Sequence, residues 1–440
     1  MRHLRRGLER DVDVASLAAF RILFGGLLFV AVVRTWVKGT IFDAFVAPKF
    51  FFTYWGLAWL RPLPGEGMYV VYAVMGIAAL AFAAGIFYRA SAIALFTLFT
   101  YAHLCDVTNY LNHYYLVSLL LLLSCFLPLH AAFSIDARLR PAARRSTVPA
   151  WMLWLLRFQI GVVYFFGGVA KLKADWLLRA MPLKIWLLAA GDFPLLAPLF
   201  RLPATPYVMS WLGAAFDLSA AFLLATRRTR PYAYAVVCVF HVVTARLFQI
   251  GMFPWIMIAS SLVFFDPSWP RRILARLRGR AFALPAPSRA PLGRAPRVAL
   301  AYVVVQLLLP LRHVVYPGNV LWTEEGYRFA WNVMLVEKTG SAEITLRDPV
   351  TGASRQPRVR DTLTPLQVKM MATQPDMILA FARHLADEAE RRGEARPMVF
   401  ADVVVVMGGR PPARLVDPAV DLAREREGLG AKRWLLPAPP

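Results

Sequence analysis

The chain has 440 residues, of which 58% are apolar and 18% are charged, with a mean hydropathy of +0.50. Soluble domains have about 25% charged residues, so the composition excludes an ordinary soluble globule; it also excludes disordered, collagen-like and disulfide-rich chains. Fifty basic and 27 acidic residues give a net charge of +23. Because the basic residues collect between long apolar runs, they indicate membrane topology rather than a nucleic-acid-binding face.

Several apolar segments are long enough, or nearly so, to cross a membrane as helices. The predicted spans lie at about 16–36, 68–87, 91–107, 113–132, 150–170, 207–226, 231–250, 252–266 and 298–312. The first continues past Arg21 without an Ala-rich cleavage site, so we interpret it as a retained helix rather than a signal peptide. The predicted fold is mainly α, a polytopic transmembrane bundle of about nine spans with a small C-terminal α+β extramembrane domain.

Arginines collect in four groups between these spans. The groups are Arg2, Arg5, Arg6 and Arg10; Arg138, Arg140, Arg144 and Arg145; Arg227, Arg228 and Arg230; and eight arginines from Arg271 to Arg297. If all four face the cytoplasm, the N-terminus is cytoplasmic and the tail is extracytoplasmic. We accordingly predict a membrane domain at 1–312 and an extracytoplasmic domain at 313–440.

Four further segments carry structural predictions. Residues 177–206 contain Pro182, Gly191, Pro194 and Pro198 and predict a re-entrant or interfacial pair of short helices. Residues 38–67 are rich in aromatic residues typical of an interfacial belt, and 267–297 read as a Pro- and Arg-rich linker. In the tail, strands are predicted at 328–337, 341–348 and 398–407, a turn at Thr339 and Gly340, and a helix at 364–392.

Lys171 ends the fifth span, close after Gly167 and Gly168. It is consistent with a lysine that extends to the outer interface. It is equally consistent with a functional amine, since desolvation favours the neutral form that can act as a base. The two glycines would allow a ligand or a helix to approach closely, while the nearby Lys173 makes the signal less specific.

Other polar residues lie where burial is costly. Asn112 and His113 open the fourth span, where a histidine is commonly a capping or interfacial residue. His241 lies in the middle of the seventh span, so its imidazole needs a partner, and it shares a helix face with Gln249. For Arg157 and Asp217, an ion pair between helices is at least as plausible as catalysis.

Several familiar chemistries lack their motifs in this sequence. There is no phosphate-binding Gly loop, HExxH, GxSxG or CxxC motif, and Cys105, Cys125 and Cys238 lack metal-type spacing. ATP-driven transport, metalloprotease and serine hydrolase activities are therefore unsupported, and no metal site is expected. The residues indicate a polar, base-containing cavity near the outer face, of a kind suited to a quinone-sized lipid.

Short motifs throughout the chain resemble the vitamin K-dependent gamma-glutamyl carboxylases and their bacterial relatives, which carry a so-called horizontally transferred transmembrane domain. The matching stretches are 20–25, 61–64, 68–69, 112–116, 168–176, 216–220, 240–241, 247–253, 316–319, 321–327 and 331–337. They occur in order from about residue 20 into the tail, which makes the resemblance more specific than any single motif.

The resemblance implies a carbon-carbon lyase with coupled epoxidase activity. In the family, an active-site lysine deprotonates reduced vitamin K, oxygen adds, and the resulting strong base removes a γ-proton from glutamate. Carbon dioxide then adds, giving γ-carboxyglutamate and vitamin K epoxide. The lysine corresponds to Lys171; His113 would act with Asn112 on the quinone oxygens, and His241 would lie near the glutamate and the quinone.

Arg21 and Asp217 also fall in matching motifs, and we interpret them as structural supports in the membrane. The implied cofactors are reduced vitamin K or menaquinol, O2 and CO2, without a metal. The expected partners are the lipid bilayer, the quinol and a glutamate-containing protein as candidate substrate, with no nucleic acid.

The chain also departs from the animal members of the family. About 128 residues follow Arg312, fewer than in the animal enzymes; Ala170 stands where they have a second lysine; and no cysteine pair matches their disulfide. With 42 arginines and 8 lysines, the composition favours a bacterial inner membrane, where menaquinol could replace vitamin K.

Three alternatives remain open. One is a quinol epoxidase without protein carboxylation. Another is a transporter or proton channel with Arg21, Arg157, Asp217 and His241 along its path, which inverted repeats would favour, although we see none. The third is a quinone-binding subunit, which would keep its role without Lys171.

Overall fold

Helices form most of the chain before residue 312. The computed structural model describes residues 7–190, 193, 197–248, 250–284 and 295–439. The principal helices of this part are α1 (Ala15–Val37), α2 (Gly67–Ala84), α3 (Tyr88–Leu104), α4 (Asn112–Phe126), α5 (Ala150–Ala170), α6 (Thr205–Ala225), α7 (Arg230–Leu247), α8 (Phe253–Ser261), α9 (Trp269–Leu277) and α10 (Ala295–Leu308). Shorter helical segments lie at Phe42–Val46, Val107–Asn109, Ile135–Leu139, Pro141–Ala143, Ala174–Leu177, Leu183–Ala189, Ala197–Phe200, Leu262–Phe264, Leu309–Val315 and Val320–Thr323.

Each predicted span coincides with one of these helices. Among the described residues, five helices are both long and apolar enough to cross a membrane: Ala15–Val37, Gly67–Ala84, Ala150–Ala170, Thr205–Ala225 and Arg297–Val315. Two shorter apolar helices lie at Asn112–Phe126 and Phe253–Phe264. The predicted fold class is confirmed, and the count of nine spans stays a prediction.

Arg21 lies in the core of the bundle and is completely buried. Its guanidinium donates hydrogen bonds to four carbonyl oxygens, those of Phe82 (3.1 Å), Ala83 (2.7 Å), Leu129 (3.2 Å) and Phe133 (2.6 Å). One charged group thereby connects α1 to the end of α2 and to the segment after α4. These four carbonyl oxygens accept the hydrogen bonds of the buried Arg21 guanidinium, so no carboxylate is needed.

We expect Arg21→Met to lower the free energy of unfolding by about 3–5 kcal/mol, because it leaves several buried carbonyls without their donor. Thermal unfolding in detergent checks this, with the exposed Arg61→Met as control. Equal unfolding temperatures for the two variants would contradict the structural role of Arg21.

The tail is built on a four-stranded antiparallel sheet whose strands lie in the order Ser354–Arg355, Lys338–Arg347, Met398–Met407 and Ala413–Arg414. The tail elements are β3 (Lys338–Arg347), β4 (Ser354–Arg355), β5 (Met398–Met407), β6 (Ala413–Arg414), a helical turn at Val359–Thr362, α11 (Pro365–Met371) and α12 (Pro375–Arg391). Every second residue of β5 is buried, and α12 packs its apolar face on the sheet. A two-stranded ladder of β1 (Asp11–Asp13) and β2 (Thr147–Pro149) lies at the other end of the bundle.

The tail predictions are partly wrong. The strands at 341–348 and 398–407 are confirmed, but Thr339 and Gly340 lie inside β3 rather than in a turn. Residues 328–337 form no strand, because Phe329, Trp331 and Met334 have left-handed φ angles of 60°, 57° and 51°. The apolar pattern there has another cause: Trp331 is buried and stacks on Tyr115 of α4.

The remaining predictions have mixed outcomes. The predicted helix 364–392 is two helices, divided before Pro375, which cannot continue α11. The presumed linker 267–297 contains α9, and its residues 285–294 lie outside the described part. In 177–206, short helices occur as predicted, although Gly191 and Pro194 lie outside the described residues. Arg2, Arg5, Arg6 and Gln249, which also carried predictions, lie outside them too.

The aromatic residues of segment 38–67 do not form a single interfacial belt: some are exposed on the surface and others pack against the tail. Trp55 and Trp59 are exposed, as a membrane interface would require. Phe52 is buried, and Phe50 packs edge-on against Phe381 of α12 with ring centroids 5.9 Å apart. Part of this segment therefore holds the tail on the bundle.

Polar contacts fix the tail over one end of the helical bundle. The Arg410 guanidinium donates to both carboxylate oxygens of Asp175, at 2.9 and 3.0 Å. Gln367 Nε2 donates to Phe50 O (2.7 Å) and to the Asp106 carboxylate (3.1 Å). The tail consequently covers the end of the bundle at which α5 terminates.

Candidate active site

Lys171 caps the C-terminus of α5, and its side chain lies inside the protein. Its Nζ donates to Asp217 Oδ2 of α6 at 2.6 Å and to Gly167 O at 3.2 Å. The ammonium also lies 5.2 Å from the ring centroid of Trp176. Lys171 therefore forms a buried ion pair and does not extend to an interface.

The suggested ion pair between Arg157 and Asp217 does not form. Arg157 donates to the carbonyl oxygens of Val263 (2.8 Å), Phe264 (3.3 Å) and Phe265 (3.0 Å). These carbonyls satisfy the guanidinium N–H groups and leave Asp217 to Lys171.

The two glycines before Lys171 have different surroundings. A Cβ on Gly168 would meet the Leu218 backbone nitrogen at 2.7 Å, whereas one on Gly167 would meet Asp217 Oδ2 at 3.7 Å, an ordinary contact. Gly168 thus allows α5 and α6 to approach closely where the ion pair bridges them. This confirms that a glycine here permits close approach of a helix.

We expect Gly168→Ala to lower the free energy of unfolding by about 1–3 kcal/mol, because the added methyl forces the two helices apart. Gly167→Ala makes the same chemical change on the same helix and should cost much less. Thermal unfolding of the two variants checks this, and equal losses would contradict the close contact at Gly168.

His241 and Tyr164 form a second polar pair, and they line the same internal cavity as Lys171 and Asp217. Tyr164 Oη and His241 Nε2 lie 2.8 Å apart and share a hydrogen bond, and both residues are buried. The other ring nitrogen, His241 Nδ1, is also buried but has no hydrogen-bond partner among the described residues. Because buried polar atoms are nearly always paired, this nitrogen is a candidate ligand contact.

The ring of Phe253 packs against both His113 and His241. The Phe253 ring centroid lies 5.6 Å from that of His113 and 5.7 Å from that of His241. Both histidines, Lys171 and Asp217 line one cavity of about 1270 Å³. Sequence positions more than a hundred residues apart thus meet in one place.

Asn112 joins this cavity to the tail above it. Its Nδ2 donates to Asn332 O at 2.8 Å, and its Oδ1 accepts from Tyr110 Oη at 2.9 Å. Tyr110 Oη in turn accepts from the backbone N–H of Phe329 at 2.6 Å. The left-handed turns around Phe329 are therefore pinned above the start of α4 as a roof over the cavity.

Charged side chains of the tail complete this roof. Arg328 is held by Asp376 and Gln374. Burial acts to raise the pKa of Asp376, but the Arg328 guanidinium outweighs it and lowers that pKa below its usual range. Lys338 Nζ lies 3.2 Å from Glu324 Oε1; burial lowers the pKa of Lys338 although this carboxylate opposes the shift.

Five of the six predicted site residues line the cavity. The sixth, Arg21, lies in the core of the bundle and away from the cavity. Sequence reasoning missed Tyr164, although it lies seven residues before Lys171 and so on the same face of α5. It also missed Arg328 and Lys338, which carry no signal because ionic residues are ordinary in an extramembrane tail.

Two family models match this chain. The model described as HTTM domain matches residues 9–269, and the model described as vitamin K-dependent gamma-carboxylase, lumenal domain, matches residues 295–440. The chain belongs to the vitamin K-dependent gamma-glutamyl carboxylase family. No solved structure matches it.

Family membership gives the site a functional setting. The ion pair, both histidines and Asn112 fall within the HTTM match, and the roof residues fall within the lumenal-domain match. Both matches indicate a membrane protein with a vitamin K-dependent carboxylase-like function. The cavity between them is the candidate active site of this family member.

Proposed function

We propose that this protein is a membrane-embedded, vitamin K hydroquinone-dependent gamma-glutamyl carboxylase that couples quinol epoxidation by O2 to the addition of CO2 at glutamate. The observation that carries this proposal is the buried Lys171 Nζ, 2.6 Å from Asp217 Oδ2, in a cavity that also contains His113 and His241. A buried amine with a proton acceptor beside it is what deprotonation of a quinol requires.

The residues around the cavity fit a reduced quinone. The walls are mostly apolar and aromatic, while His241 Nδ1, which has no hydrogen-bond partner within the described part of the chain, could contact a quinol oxygen. Leu212 of α6 and Val236 and Val239 of α7 line the cavity and are also exposed, so an apolar tail could leave between these helices into lipid. Reduced vitamin K or menaquinol, together with O2, supplies the strong base that removes a glutamate γ-proton, and CO2 adds to the resulting carbanion.

Lys171 and Asp217 act together in this proposal. Nζ accepts a phenolic proton only as a neutral amine. The ammonium proton has a short path to Asp217 Oδ2, and transfer gives an amine and a carboxylic acid with no change in the net charge of the pair. The transfer therefore adds no net charge to the apolar cavity.

Cationic side chains at the cavity suit an acidic substrate. Arg34 and Lys369 line the cavity, both are exposed, and neither has a carboxylate partner among the described residues. They could attract the glutamate side chain before it reaches Lys171. The roof formed around Phe329 and Trp331 limits water, which would otherwise protonate the carbanion.

The proposal includes a membrane orientation. The chain would divide into a transmembrane catalytic domain at 1–312 and an extracytoplasmic domain at 313–440, with the N-terminus in the cytoplasm of a bacterial cell. The described arginines of the four groups, at the end of the bundle opposite the tail, support this orientation. The quinol would then reach the site from the bilayer and the glutamate from outside.

The test measures both products in one reaction. Purified protein in nanodiscs receives reduced vitamin K or menaquinol, O2, labelled CO2 and a glutamate-containing peptide. We expect quinone epoxide and labelled γ-carboxyglutamate, both dependent on the quinol. Epoxide without peptide label would support the quinol epoxidase alternative, and folded protein that forms neither product from either quinol would contradict an enzyme of this kind.

Tyr164→Phe should lower kcat/KM for the quinol by about tenfold, because loss of one hydrogen bond leaves His241 free to turn in the cavity. Tyr164 is a positioning residue in this proposal, so KM for the quinol should change more than KM for the peptide. The matched control is Tyr234→Phe, whose hydroxyl donates to Ile258 O away from the site. An unchanged kcat/KM in Tyr164→Phe would contradict the proposal that Tyr164 positions His241.

A further inference from the structure

A second cavity, of about 420 Å³, lies at the end of the bundle opposite the tail. It is enclosed by the start of α5, the connection from α6 to α7 and the residues between α8 and α9. Five arginines line it: Arg10, Arg157, Arg227, Arg230 and Arg272. Among its described lining residues, Asp266 is the one carboxylate.

The internal contacts leave most of this charge uncompensated. Asp266 pairs with Arg272 at 3.3 Å. Arg157 and Arg230 donate to backbone carbonyls, Arg230 to Leu224 O at 2.8 Å and to Ala225 O at 3.0 Å. Carbonyls satisfy N–H groups but carry no full negative charge, and like charges crowded together repel one another. The cavity therefore has room and donors for an anion.

The helix that follows this cavity indicates where it lies relative to the membrane. On α9, Ile273 and Leu277 are exposed apolar residues, while Arg272 and Arg276 carry charge. A basic amphipathic helix of this kind lies in the interface of a bilayer, among the headgroups. The indole of Trp154 at the cavity, 40% exposed, is a side chain typical of the same depth.

We propose that this cavity binds the phosphate group of an anionic phospholipid. Guanidinium groups bind phosphate through paired hydrogen bonds. Basic pockets between helices on the cytoplasmic side of membrane proteins bind lipid headgroups. The headgroup-level setting and the apolar flank of α9 favour a lipid over free phosphate as the source. Arg10 and Arg227, exposed and without a carboxylate partner among the described residues, supply the free donors. This binding does not depend on the proposed function.

The test compares lipids in nanodiscs made of phosphatidylcholine alone or with phosphatidylglycerol. The double variant Arg10→Gln with Arg227→Gln alters the cavity, and Arg138→Gln with Arg228→Gln removes the same charge from exposed positions outside it. We expect phosphatidylglycerol to raise the unfolding temperature of the wild type and the control by several degrees, but not that of the cavity variant. Native mass spectrometry should show at least a tenfold loss of retained phosphatidylglycerol in the cavity variant.

Two outcomes would overturn the proposal. Equal stabilisation of the cavity variant and the control would show a general charge effect without a site. Stabilisation by inorganic phosphate in phosphatidylcholine nanodiscs, matching that of phosphatidylglycerol and lost in the cavity variant, would show that the site takes a free anion instead. If the glutamine double variant fails to fold, Arg10→Lys with Arg227→Lys keeps the charge and should still weaken retention, because lysine cannot form the paired hydrogen bonds.

Discussion

Asp217→Asn is expected to abolish quinone epoxide formation, because an amide cannot take up the Lys171 proton, and to lower the free energy of unfolding by about 3–5 kcal/mol, because one partner of a buried pair is removed. The carboxylate is 2.6 Å from Nζ, and both residues are only 7% exposed, so the pair is largely shielded from bulk water. Thermal unfolding and an epoxide assay on the same preparation measure the two effects.

A double variant separates stability from chemistry. Lys171→Met with Asp217→Leu replaces the ion pair by apolar side chains of similar length, a change that is often neutral or stabilising for buried pairs. We expect it to recover most of the stability that Asp217→Asn loses and none of the activity. Recovery of epoxide formation would contradict a chemical role for the pair, and failure to recover stability would contradict the buried ion pair itself.

The helices of the bundle could be predicted because long apolar segments of this kind form helices, although five of the described helices are long and apolar enough to cross a membrane. Each predicted span coincides with a helix, and α5 and α6 match theirs to within about two residues. Prediction failed in the tail, where the apolar run at 328–337 suggested a strand. Its apolar residues face the bundle instead, as the stacking of Trp331 on Tyr115 shows, and only a tertiary structure reveals that partner.

Some features of the candidate site could likewise be predicted from the sequence, and others could not. Close approach at Gly168 could be predicted from a glycine pair at the end of an apolar segment, whereas the sequence left an interfacial and a buried Lys171 equally open. The partner of Asp217 could not be predicted, since Arg157 and Lys171 were both available by charge and only helix packing chooses between them. The roof residue Arg328 lacked any local signal for the same reason.

Lys171→Ala should lower the rate of epoxide formation by about 10²–10⁴-fold, the usual contribution of a positioned general base. Lys173→Ala is the matched control: Lys173 is two residues away, only partly buried, and does not line the cavity.

The most direct measurement of the central claim is the amount of quinone epoxide formed from reduced vitamin K or menaquinol and O2 by wild type, Lys171→Ala and Lys173→Ala, each shown to be folded by its unfolding temperature. Lys171 as the base predicts epoxide from the wild type and from Lys173→Ala, and a loss of at least a hundredfold in Lys171→Ala. Epoxide formation by Lys171→Ala at the wild-type rate would contradict the assignment of Lys171 as the base.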